Sequence, residues 1–92
     1  MYVVLVYDIG EKRVSKVLKL CRQYLHRVQN SVFEGNLSEK NFNELQRRLN
    51  SIINKNHDTI IIFNFQSENA VKRITLGIDN KKPDLFVDED SF

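Results

Sequence analysis

From Tyr2 to Tyr7 every position is apolar or aromatic (Tyr2-Val3-Val4-Leu5-Val6-Tyr7), and the run breaks at Asp8-Ile9-Gly10. The run is too short for a helix and rich in β-branched residues, so it predicts a buried strand followed by a turn. From Glu11 the period changes. Val14, Val17, Leu18, Cys21 and Leu25 recur at helical spacing, and Lys12, Lys16, Lys19 and Gln23 gather on the opposite side, with Arg22 at its flank. The helix docks its apolar side on the sheet and turns its basic side outward. Alternation returns from Arg27 to Glu34, and Gly35-Asn36 reads as a bulge or tight turn, so 27–37 is either one bent strand or two short ones. Ser38 is a helix N-cap with Glu39 in the first turn, and Phe42, Leu45, Leu49 and Ile52 mark a second amphipathic helix to about Asn54. Asn56-His57-Asp58 is a turn before a strongly apolar strand, Thr59–Phe65. Gln66–Lys72 reads as a connector, and Arg73–Leu76 as a short strand ending at Gly77.

This order of elements is that of an α+β, ferredoxin-like βαββαβ sandwich: an antiparallel sheet with two helices on one face, plus a C-terminal strand or tail. Such a plan leaves the other sheet face bare. Yet strands 2–7 and 59–65 are apolar at nearly every position, which signals burial on both faces. The second cover must come from a partner, and a two-fold copy is the commonest one, so a homodimer with facing sheets is expected.

Length and charge sharpen this picture. At 92 residues the chain holds one domain. Its net charge of +2 (14 Lys+Arg, 12 Asp+Glu) conceals a division. Residues 1–78 carry 12 basic and 7 acidic side chains, net +5, whereas residues 79–92 carry 2 and 5, net −3. The expected domain is therefore 1–78, and 79–92 form an acidic tail. No apolar run approaches the ~20 residues of a membrane span, and the first residues lack the basic start of a signal peptide. A lone cysteine permits no internal disulfide, so a cytoplasmic location is expected. The three glycines form no phosphate-cradling or dinucleotide-binding motif.

Among candidate reactive groups Asp8 stands first, because it sits where an apolar strand gives out, a frequent position for a site residue. The plainer reading is a turn or capping aspartate. The body has few other carboxylates, but a two-fold axis near the first strand ends would join two Asp8 copies. Two carboxylates with water suit Mg²⁺, which keeps much of its hydration. Arg13, Lys16, Lys19, Arg22 and Arg27 form a lopsidedly basic segment, readable as a solvated helix face or as a phosphate-binding surface without a code for bases. Phe33 reads as core, Ser31 as a polar filler on the same strand face, and Cys21 as a buried small hydrophobe. His26 and His57 have no partner at zinc-ligand spacing.

Tyr7-Asp8-Ile9 at a strand end, the basic helix, and the string Arg27-Val28-Gln29-Asn30-Ser31-Val32-Phe33-Glu34-Gly35-Asn36-Leu37-Ser38 together resemble the Cas-two family. This is the smaller of the two core adaptation proteins of CRISPR–Cas systems. The likeness covers about residues 1–78, with two departures. Asn30 stands where an aromatic is common, and Tyr24-Leu25-His26 replaces a glycine-containing turn. The resemblance implies a ferredoxin-like homodimer whose two Asp8 residues meet and hold a divalent metal, usually Mg²⁺. It implies an endonuclease on single-stranded RNA or double-stranded DNA that also bridges integrase dimers during spacer capture in antiviral defence. Tyr7, Arg13, Arg27 and Phe33 would support the site, with Ser31, and Leu85-Phe86-Val87 would be an exchanged edge strand or an integrase contact. A non-catalytic DNA-binding scaffold is the alternative function.

Overall fold

A computed structural model describes residues 1–67 and 69–78. The expected tail, with Leu85-Phe86-Val87, lies outside the described residues. The elements run β1 (Tyr2–Asp8), α1 (Glu11–Tyr24), β2 (His26–Gln29), β3 (Val32–Asn36), α2 (Glu39–Ile52), β4 (Thr59–Ser67) and β5 (Ala70–Gly77). They form one antiparallel sheet in the order β2-β3-β1-β4-β5. Its first four strands reproduce the ferredoxin-like arrangement, with β5 added at the β4 edge.

The helices follow their sequence pattern closely. Val17, Leu20 and Cys21 of α1 and Phe42, Leu45 and Leu49 of α2 are buried in one cluster with Val3, Leu5, Tyr7, Phe33, Ile60 and Ile62. Alternation along a strand puts those sheet residues on a single face, so both helices cover that face. Ser38 begins α2 as expected, its Oγ accepting from the Asn41 N–H at 3.1 Å.

The strands differ from expectation in three places. Residues 27–37 resolve into two strands joined by a tight turn at Asn30-Ser31, where Ser31 has φ 70°. Ser31 therefore lies in the turn and not on the strand face of Phe33. Gly35 makes no turn. It stays in β3 opposite Val3, where a Cβ would stand 3.1 Å from Leu25 Cδ2, a tight contact that the leucine side chain would have to relieve by shifting. The irregularity in pairing falls instead between Arg27 and Gln29. Finally, the expected connector 66–72 is largely strand, because β4 and β5 stay paired from Thr59↔Gly77 out to Ser67↔Ala70. Polar side chains are tolerated there because Gln66, Ser67 and Lys72 are exposed.

On the sheet face away from the helices lie Val4, Val6, Val32 and Phe63, half-buried, with exposed Phe65 beside Tyr2. Ile61 is buried yet stands outside the helix-facing cluster. This second face is strongly apolar, as both-sided hydrophobic strands require.

Candidate active site

Asp8 is the last residue of β1, exposed, and directly opposite Thr59 of β4. Alternation sends its side chain to the face that the helices do not cover, in line with Val4 and Val6. Tyr7 points the other way. It is 7% exposed, its ring centroid lies 6.2 Å from that of Phe33, and its N–H donates to the Ser31 carbonyl at 3.0 Å. Tyr7 and Phe33 thus pack beneath the strand end that carries Asp8, and Ser31 contributes a backbone oxygen from the neighbouring turn.

A second aspartate organises this corner of the molecule, and the sequence pattern disclosed it only as part of a turn. Asp58 is completely buried at the α2–β4 junction. Its carboxylate accepts from Arg13 Nε at 2.6 Å and Arg13 Nη2 at 2.9 Å, from the Gly10 N–H at 2.8 Å, and from the Asn54 N–H at 2.7 Å. Arg13, whose side chain is 26% exposed, meets it as a planar fork. The guanidinium beside Asp58 holds that carboxyl well below the usual carboxylate range, with the Asn54 and Gly10 amides adding to the effect and burial opposing it. Reciprocally, the hydrogen bond to Asp58 raises the Arg13 pKa. The Asp58 backbone takes part too: its carbonyl accepts from the Ile78 N–H at 2.9 Å. Only an acid directly before an apolar strand hinted at such a hub, and that pattern is shared by many surface turns.

The basic candidates separate into two groups. Lys16, Lys19 and Arg22 are exposed on the outward side of α1, and Arg27 is exposed on the edge strand β2, its Nη2 donating to Asn30 Oδ1 at 3.1 Å. Arg13 is set apart from them, with its fork spent on Asp58. A further cluster joins the helices. Tyr24 donates from its hydroxyl to Glu44, and Arg48 donates to that hydroxyl at 2.9 Å and to Gln23 Oε1 at 3.2 Å. The Tyr24 hydrogen bond lowers the Glu44 pKa.

For a metal, the described residues of one chain offer the carboxylate of Asp8 at the strand end. Among the described residues no group of three His, Cys, Asp or Glu side chains converges, and Asp58 is too buried and too fully bonded to be a ligand. The oxygen chemistry of Asp8 fits a hard divalent cation only if a second copy adds its own carboxylate. Cys21 is buried and its thiol is pushed up to about 12 by that burial, so it is no nucleophile.

A five-stranded antiparallel sheet backed by two helices, with an exposed aspartate at the end of its first strand, defines a ferredoxin-like protein with a strand-end acidic site. Comparison with known proteins narrows this class. The family described as CRISPR associated protein Cas2 matches residues 1–73. The chain is 40% identical over 87 residues to the CRISPR-associated endoribonuclease Cas2 of Methanothermobacter thermautotrophicus, covering 95% of this chain and 96% of the relative. It is 46% identical over 79 residues to the protein of the same name from Pyrococcus furiosus, covering 86% and 91%. The crystal structure of Streptococcus pyogenes Cas2 at pH 6.5 is similar in fold, with a TM-score of 0.66, 36% identity, and coverage of 75% of this chain and 89% of that one. The chain belongs to the Cas2 family.

Proposed function

We propose that this protein is a CRISPR-associated endoribonuclease, working in the cytoplasm as a homodimer in the spacer-acquisition machinery of antiviral defence, in which two Asp8 carboxylates together hold Mg²⁺. The observation that carries the reading is the position of Asp8: exposed, at the end of β1, on the apolar sheet face that no helix covers. A two-fold copy seated on that face would bury its valines and phenylalanines and place the two acids near the axis. Bound Mg²⁺ would supply Lewis-acid stabilisation of a phosphodiester and activation of water. The chain's own residues account for the rest. Lys16, Lys19, Arg22 and Arg27 would neutralise phosphates of the RNA, while Tyr7 and Phe33 keep the strand end from shifting. The names of the relatives support RNA as substrate.

Replacement of Asp8 by Asn tests this reading. Mg²⁺-dependent cleavage of labelled single-stranded RNA should fall at least about 100-fold, with RNA binding and dimer mass unchanged. Unaltered cleavage by the purified variant would remove the site.

A second reading, a non-catalytic scaffold that grips double-stranded DNA and docks the integrase, draws on the thinness of the site: one carboxylate per chain beside a broad basic surface. Spacer capture that survives Asp8→Asn while RNA cleavage is lost would make the scaffold the principal role.

A further inference from the structure

Residues 58 and 59 bracket the strand end that carries Asp8. Thr59 pairs with Asp8 in the sheet, and the preceding residue, Asp58, takes the Gly10 N–H at 2.8 Å. Arg13, in the first turn of α1, closes the arrangement by forking onto the same carboxylate. Gly10 has no side chain to obstruct the fork; a Cβ there would collide with Arg13 Nη2. Resting on the reading of Asp8 as a metal-holding carboxylate, we propose that Arg13 and Asp58 are a positioning pair: their fork clamps the β1–α1 turn and thereby sets where the Asp8 carboxylate stands. Arg13 therefore serves the site through Asp58 and not by touching phosphate.

The chemistry of the pair makes this specific. A planar two-point fork requires arginine; lysine matches the charge but can present only one point. A site assembled from two chains tolerates little displacement, and an error of about 1 Å costs on the order of 100-fold in rate.

The test uses the full chain, Mg²⁺ and a labelled single-stranded RNA, comparing Arg13→Lys, Arg13→Gln, Asp58→Asn, the Arg13→Gln/Asp58→Asn double variant and Asp8→Asn. Positioning requires kcat to fall about 10- to 100-fold in both Arg13 variants, with KM and the salt dependence of RNA binding unchanged and the double variant no slower than the worse single one. Hydrogen exchange should quicken at residues 9–13 and hold steady in the central strands. If Asp58→Asn fails to fold, Arg13→Lys carries the test. Wild-type kcat in the Arg13 variants beside an inactive Asp8→Asn overturns the pair alone. A raised KM with a shallower salt slope in Arg13→Gln, rescued by lysine, returns Arg13 to phosphate binding and also overturns it. If Asp8→Asn itself cleaves normally, the reading of Asp8 falls, and the proposal with it.

Discussion

Two aspartates lie near one end of the sheet in opposite surroundings. Asp8 is exposed at the end of β1, whereas Asp58 is completely buried with four N–H donors on its carboxylate. The hydrogen bonds from Arg13 lower its folded-state pKa below the unfolded value of about 3.8. Asp58 therefore contributes stability that is fully present above about pH 4 and is lost as pH falls below that value. Thermal melts between pH 2 and 6 should show this acid limb, and Asp58→Asn should flatten it while costing about 2 kcal/mol at neutral pH. Asp8 was legible from its place at the end of an apolar run. Asp58 was not, because burial and charge pairing depend on contacts 45 and 48 residues away, with Arg13 and Gly10, that leave no local periodicity.

At the scale of elements, both helices were legible because one side of each meets the core. Leu49 is wholly buried while Arg47, two positions away, is exposed. Edge strands carry no such contrast. All four residues of β2 are exposed, so alternation there could not distinguish one bent strand from a hairpin turning at Ser31. The polar outer half of β4 and β5 looked like a connector for the same reason. Glycine marks the place where the backbone is most constrained. Gly77 has φ 84°, and a Cβ on it would strike the Asp58 carbonyl. Gly77→Ala should therefore destabilise the fold by more than about 1 kcal/mol, the cost of the left-handed conformation alone, whereas Ser38→Ala should cost about 1 kcal/mol through loss of the α2 cap. Urea unfolding of the two variants would check both values.

The described residues present two contrasting surfaces: a helix layer studded with Lys16, Lys19, Arg22 and Arg47, and a sheet face centred on valine, isoleucine and phenylalanine, with Glu34 and Arg73 opposite Val4 and Phe63. The first suits phosphate and the second suits a second copy. On the proposed dimer, Phe63→Glu, in the middle of the apolar face, should leave a monomer in light scattering and abolish cleavage while preserving the helical circular dichroism signal. A dimer of unchanged mass would show that the copies meet elsewhere. The Asp58 hub has one more consequence, for how this chain can be recombined with its relatives. Residues 10–13, 54–58 and 77–78 are remote along the chain but share one set of hydrogen bonds. A chimaera cut anywhere between them splits that set across two parents. Only an exchange that transfers all three segments together hands the recipient a complete junction, so the natural module of this small domain is a discontinuous one.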